Sequence, residues 1–277
     1  MDSQRLWFKA LIPDSGGNLT YSILMRILIL GGTAEAKALA AQLATSPDYE
    51  ILLSLAGRTK APAKQPVPVR VGGFGGAEGL ANFIREKGVD LLIDATHPFA
   101  AQISRNAVEA AAMAGIDILA LRRPPWSRQE GDLWQEVLDI PAAVVALDIA
   151  PRQVFLTLGR QELLPFEVMK QHHYLVRSVD PVEPPLILPH VSYITARGPF
   201  SEPDEIRLLE KHGIDLIVSK NSGGTASVGK IGAARRLGID VILIERPCLP
   251  DMPAGKNVDE LAGMVRHWTL SRRKRGE

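Results

Sequence analysis

The feature that most limits how this chain can fold is a rhythm in its apolar residues. Runs of strand length, ending in glycine or small polar residues, alternate with alanine-rich stretches of helical period. A parallel sheet with helical crossovers on its faces satisfies such a pattern, because each strand is buried on both sides and each helix on one. Arg26 to Leu30 reads as the first strand and Thr33 to Ala44 as a helix. Strands follow at Ile51 to Leu55 and Val67 to Val71, then a helix at Ala77 to Lys87 and a strand at Asp90 to Asp94. A long helix at Phe99 to Ala114 and a strand at Asp117 to Leu121 complete the series. Gly88 and Gly115 stand where a helix ends in a left-handed residue, a conformation glycine adopts without a Cβ penalty.

Arg123-Pro124-Pro125-Trp126 interrupts the rhythm, and its prolines predict a connector rather than another crossover. Beyond it the pattern resumes. Strands are predicted at Val154 to Leu158, Leu175 to Val179, Ser192 to Thr195, Leu216 to Ser219 and Val241 to Ile244. Helices are predicted at Pro203 to His212, Thr225 to Leu237 and Val258 to Trp268. At roughly 150 residues per domain, a chain of 277 residues makes two domains. The expected architecture is α/β: two Rossmann-like doubly wound parallel-sheet domains, residues 25–125 and 126–270, with a cleft between them. Ligands of such sheets bind outside the carboxyl ends of the strands.

Residues 1–24 are expected to be a non-native or disordered extension, with Met25, just before the first strand, as the natural start. Asp2, Arg5, Lys9 and Asp14 interrupt that segment, leaving no apolar stretch fit for a signal-peptide core or a spanning helix. Residues 271–277, with Arg272-Arg273-Lys274-Arg275, are expected to be a solvated basic tail. The 32 Lys and Arg nearly cancel the 31 Asp and Glu, so no global field points to nucleic acid or an anionic membrane. Cys248 is the only cysteine, which excludes an internal disulfide or a cysteine-built metal cage and suits a reducing cytoplasm.

Chemistry concentrates at strand ends. Gly31-Gly32-Thr33, between the first strand and its helix, would let a phosphate approach the backbone, with helix amides and the Thr33 hydroxyl as donors. Ala36 takes the place of the third glycine of the dinucleotide fingerprint, so a tight turn that only caps a helix is the competing account. The second strand runs into Ala56-Gly57-Arg58-Thr59-Lys60. Where an acidic residue would bind the ribose of NAD, Arg58 and Thr59 suit the 2′-phosphate of NADP, so NADPH is the expected cofactor, with a merely solvated basic loop as the alternative. Gly72-Gly73-Phe74-Gly75-Gly76 predicts a backbone that bends and approaches something, or one that is simply flexible. Asp94-Ala95-Thr96-His97 should direct Thr96 and His97 to the ligand, although a lone loop histidine often only caps. Lys220-Asn221-Ser222-Gly223-Gly224-Thr225 reads as a second anion site before a helix. With the first turn and the Arg58 loop, Gly73, Thr96, Asn221, Ser222, Gly223 and Gly224 are the candidate cofactor contacts. Gly31-Gly32-Thr33-Ala34 and Gly223-Gly224-Thr225-Ala226 echo each other as a recurring turn, not as a duplication.

Together, Leu30-Gly31-Gly32-Thr33 with Glu35-Ala36, Ala56-Gly57-Arg58-Thr59, Gly72-Gly73-Phe74-Gly75-Gly76, Asp94 to Ala100, Arg123-Pro124 with Trp126, Lys220 to Gly224, and Arg246-Pro247 resemble the precorrin-6A reductase family of cobalamin biosynthesis. The likeness spans nearly the whole chain after Met25. It implies NADPH-dependent reduction of one ring double bond of precorrin-6A, or its cobalt-bearing counterpart, to precorrin-6B. A tetrapyrrole edged with carboxylates would call for basic residues, and Arg105, Arg160, Arg177 and Arg197 are candidates, although any one arginine is commonly an ordinary surface charge. His97, Lys220 or water would supply the proton, and no metal is required. Two alternatives are a cofactor-free tetrapyrrole enzyme of the uroporphyrinogen-III synthase type and a non-enzymatic two-domain binding protein. The first would not need Gly31-Gly32-Thr33 paired with Arg58, and the second is expected to need an export signal, which the sequence does not show.

Overall fold

The computed structural model describes residues 9–13, 19–57 and 64–275. The chain forms two compact units. The first comprises residues 1–123 and 249–277, and the second residues 124–248. An antiparallel pair, β1 (Lys9–Pro13) and β2 (Leu19–Ile23), joins neither of the larger sheets.

The first unit is built on β3 (Met25–Leu30), β4 (Tyr49–Leu55), β5 (Val69–Val71), β6 (Leu91–Asp94), β7 (Asp117–Leu121) and the short β14 (Ala254–Gly255). All neighbouring strands are parallel, in the order β14-β7-β6-β3-β4-β5. Alternate side chains of β3 explain the layers. Ile27 and Ile29 bury against α1 (Ala34–Leu43) and α7 (Val258–Arg275), through Leu39, Leu43, Leu261 and Val265. Leu28 and Leu30 bury on the opposite face against α2 (Ala77–Lys87) and α3 (Ala101–Ala114), through Leu80, Ile84, Ala107 and Ala111. Strand period 2 therefore makes both faces of this strand apolar, as a doubly wound sheet demands. Gly88 and Gly115 end α2 and α3 in the left-handed conformation.

The second unit contains β8 (Trp134–Val137), β9 (Gln153–Thr157), β10 (His173–Ser178), β11 (Val191–Thr195), β12 (Leu216–Lys220) and β13 (Asp240–Ile244), again all parallel, in the order β11-β10-β9-β12-β13-β8. Phe155, Ile217 and Leu243 pack against α5 (Glu202–Lys211) and α6 (Gly229–Leu237) through Leu209, Ile231 and Ala234. The short α4 (Ile140–Val145) is capped by Asp139, which accepts from the Ala142 amide at 2.8 Å.

Three expectations are corrected. The last helix does not belong to a C-terminal domain of residues 126–270, because Leu261, Ala262, Val265 and Trp268 fill the core of the first unit, and Trp268 Nε1 donates to Asp117 at 2.7 Å. The basic residues after 270 are not a loose tail: α7 runs on to Arg275, Arg273 pairs with Asp48 at 2.6 Å, and Arg272 lies over the Trp268 ring. The helix predicted from Thr225 begins only at Gly229. The sequence reading also has no counterpart for β1 and β2, which lie in the segment expected to be a non-native or disordered extension, or for β8, α4 and β14, which are too short to show a period.

Candidate functional site

In the first unit the five strands β3 to β7 follow the order 3-2-1-4-5, which places a topological switch point between β3 and β6. The chain leaves β3 through Gly31 and Gly32. Gly31 is required for packing, since a methyl group there would meet Leu53 Cδ1 at 2.6 Å and Ala36 Cβ at 3.2 Å. Gly32 has a different reason. Its φ of +117° disfavours any L side chain, and a methyl group would find nothing within 4 Å. The backbone is thus exposed and bent where the sequence reading seats a phosphate. The Gly31 amide donates to Ser54, whereas among the described residues no protein acceptor engages the amides of Gly32 and Thr33. These groups, at the positive end of α1, fit the diphosphate of a dinucleotide.

The role expected for the Thr33 hydroxyl is corrected. It caps α1 by accepting from the Ala36 amide at 3.0 Å and donates to the Ala95 carbonyl, also at 3.0 Å. The side chain thereby ties the β3 turn to the β6 exit across the switch point, and its proton is spent on the Ala95 carbonyl.

At the β6 exit the organising residue is Asp94, which the sequence reading left without a role. Fully buried, it accepts from Thr96 Oγ1, Ser104 Oγ and Arg122, each at 2.6 Å, and from the Thr96 amide at 3.1 Å. Burial works to raise the Asp94 carboxyl, but the Arg122 guanidinium and these hydrogen bonds outweigh it and hold the group below the ordinary carboxylate range. Thr96 is consequently buried and turned onto Asp94. His97 is half-buried, and its Nδ1 accepts from the Phe99 amide at 3.3 Å, so Nε2 carries the proton of the neutral ring. A carboxylate closing an apolar strand and an arginine just past the next strand were the available signals for this network.

The glycine loop after β5 is held from within. Arg70 donates to the carbonyls of Gly72 and Gly73 and lies over the Phe74 ring at 3.7 Å. Gly73 faces open space, as do Gly72, Gly75 and Gly76. Arg58 and Thr59 lie outside the described residues.

The second unit has the same 3-2-1-4-5 order in β9 to β13, with its switch point between β9 and β12. There Lys220, at the end of β12, forms an ion pair with Glu162, whose other oxygen accepts from the Gly159 amide at 3.0 Å. Glu162 is a second residue the sequence reading missed. Asn221 bonds both the amide and the carbonyl of Trp126, at 2.8 and 3.0 Å, and Ser222 Oγ lies 3.4 Å from Ser227 Oγ. Gly223, at φ +63°, packs against the Pro124 carbonyl and Arg246. Arg246 in turn donates to the carbonyls of Asn221, Ser222 and Pro124. This loop is therefore stapled to its own unit, and α6 starts too far on for its amides to follow Gly224 directly.

The four arginines part company. Arg177 is corrected from a substrate contact to a core residue: it pairs in bidentate fashion with buried Glu205, lies 3.7 Å from the Phe200 ring centre, and is 7% exposed. Arg160 reaches Asp180 at 3.6 Å beyond β9, Arg105 is exposed on α3 beside Gln102, and Arg197 is exposed beyond β11. Among the described residues, no group of three or more His, Cys, Asp or Glu side chains is placed to hold a metal ion, and no helix is long and apolar enough to cross a membrane.

Strand order and site together define a class: a doubly wound α/β protein whose first unit leaves a bare backbone turn open at its switch point. Within that class, the sequence profile of the precorrin-6x reductase CbiJ/CobK matches residues 26–267, and the chain belongs to this family. It is 54% identical over 243 residues to the precorrin-6A reductase of a Sinorhizobium species, covering 88% of this chain and 93% of that one. It is 50% identical over 227 residues to the precorrin-6A reductase of Rhodobacter capsulatus, covering 82% and 90%. A solved structure described as CobK precorrin-6A reductase superposes with a TM-score of 0.83 at 45% identity, covering 88% of this chain and 97% of the other.

Proposed function

We propose that this protein reduces one ring double bond of precorrin-6A, giving precorrin-6B, in cobalamin biosynthesis, with NADPH as reductant. Family membership supports the reaction, and both relatives named above carry the metal-free substrate in their names. The observation that carries the cofactor is the turn at Gly32, where a left-handed glycine opens onto space beside amides that have no protein acceptor among the described residues. When bound, the nicotinamide supplies the hydride, and the chain's own residues hold, orient and protonate.

Gly31-Gly32-Thr33 would receive the diphosphate through the backbone, with Thr33 holding the turn against β6. Arg58 and Thr59 would read the 2′-phosphate, while Gly73 completes the proposed cofactor set. The Asp94 network fixes the Thr96-His97 loop, which holds His97 as one candidate proton donor, in its imidazolium form. Lys220, paired with Glu162, is a second candidate donor, and water is the third. Arg105, Arg160 and Arg197 are the proposed partners of the tetrapyrrole's acid groups. The exposed thiol of Cys248 suits a reducing cytoplasm.

Fluorescence titration with NADPH and NADH tests the cofactor, and turnover of precorrin-6A tests the reaction. Arg58→Ala is expected to weaken NADPH by about 1–3 kcal/mol and leave NADH nearly unchanged. Equal losses for both dinucleotides would remove Arg58 from the 2′-phosphate. His97→Ala and Lys220→Ala should each slow turnover, and the proton donor is the one whose loss moves the pH profile of the reduction step.

A further inference from the structure

Glu35 is the second residue of α1, and Arg123 lies two residues beyond β7. Their side chains meet at 2.6 Å and are only 23% and 15% exposed, so this is not a loose surface contact. In the strand order β7-β6-β3, the arginine must reach past the end of β6 to the helix that follows β3. It therefore spans the switch point. The β7 exit is anchored separately, by Arg122 on Asp94 at 2.6 Å.

A carboxylate in the first turn stabilises a helix by opposing its positive end. At this helix the same carboxylate opposes any anion approaching Gly32 and Thr33, because like charges in a partly buried site repel. We infer that Arg123 is a positioning residue of the reductase: its ion pair with Glu35 cancels a carboxylate that would otherwise repel the diphosphate of a nicotinamide dinucleotide at the Gly31-Gly32-Thr33 turn. The inference rests on the reading that this turn receives such a cofactor. Glu35 thus stabilises the start of α1 while Arg123 keeps the turn open to anions.

Calorimetric titration of NADPH and NADH into the full chain tests this with Glu35→Gln, Arg123→Met and the double variant. Arg123→Met is expected to weaken both dinucleotides by the same factor, about tenfold or more, because the diphosphate is common to both. Glu35→Gln should bind at least as tightly as the unaltered protein. The double variant should return to within about threefold of it, since no carboxylate remains to be cancelled. Arg123→Gln serves if the methionine variant does not fold. Undiminished binding by Arg123→Met, or a double variant as weak as Arg123→Met alone, would overturn the neutralising role while leaving the cofactor reading intact. Unaltered protein that bound neither dinucleotide would overturn that reading, and this inference with it.

Discussion

At the switch point of the first unit Gly32 turns into open space, whereas in the second unit Gly223 turns against the Pro124 carbonyl, which a methyl group would approach to 2.1 Å. Both glycines have positive φ and precede a Thr-Ala pair after one further residue or none. The first leaves the backbone open; the second serves packing within. Topology sharpens the contrast. The turn of Gly32 follows β3, first strand of its 3-2-1-4-5 series, and the equivalent strand of the second unit is β9, followed by Leu158-Gly159-Arg160. Gly223 follows β12, the fourth of its series. The two similar tetrapeptides therefore occupy non-equivalent places, and short likeness in sequence reports a shared demand on the backbone rather than a shared task.

The largest effect expected from this contrast is in stability. Gly223→Ala should cost about 3–5 kcal/mol in urea unfolding, because a strained φ is added to a backbone clash, whereas Gly32→Ala should cost about 1–2 kcal/mol and chiefly impair dinucleotide binding. Equal stability losses would break the comparison. Nearly as large is Arg177→Met, which leaves Glu205 buried without its cation and should cost about 3 kcal/mol. Adding Glu205→Leu should recover most of it. A raised KM for the tetrapyrrole with unchanged stability would instead return Arg177 to the substrate.

A smaller effect concerns Lys230, which is 4% exposed, donates to the Ser227 carbonyl at 3.1 Å and lies 5.1 Å from the Trp126 ring. Burial, and next the nearby Arg177, push its ammonium down to about 7, against the pull of Glu205. Between that value and the ordinary lysine pKa of ~10.4 the unfolded chain holds the extra proton, so stability should rise with pH by up to ~1.4 kcal/mol per unit. Below pH 7 both states are charged and this contribution is flat. Lys230→Met should abolish the slope, as read from unfolding between pH 7 and 10. An unchanged slope would assign it elsewhere. Smallest is Thr33→Val, expected to cost about 1 kcal/mol through the lost cap while leaving most of the dinucleotide affinity, since the amides and not the hydroxyl are the proposed contacts of the anion. Loss of binding without loss of stability would restore the hydroxyl as a ligand.

Much of the framework was legible because its causes are local. The run Arg26 to Leu30 is strand-forming and apolar on both faces, and α2 occupies the span that periodicity predicts for Ala77 to Lys87. Gly88 and Gly115 adopt the left-handed conformation their positions called for. Less was legible of the site. Arg177 sits on a strand beside polar residues and reads as a rim charge until Glu205, 28 residues on, is brought to it. Asp94 and Glu162 were overlooked because a carboxylate acquires its meaning from the cation it meets, here Arg122 and Lys220.

The sequence by itself determined where the longer strands and helices lie and which turns need glycine, since side-chain period and φ are properties of a few consecutive residues. Only the tertiary structure decided that α7 returns to the first unit, that Gly223 packs where Gly32 stays open, and that Arg123 answers Glu35 across 88 residues of chain. The reason is physical: burial and ion pairing depend on distance in space, and residues far apart along a chain carry no local mark of the partner the fold will bring to them.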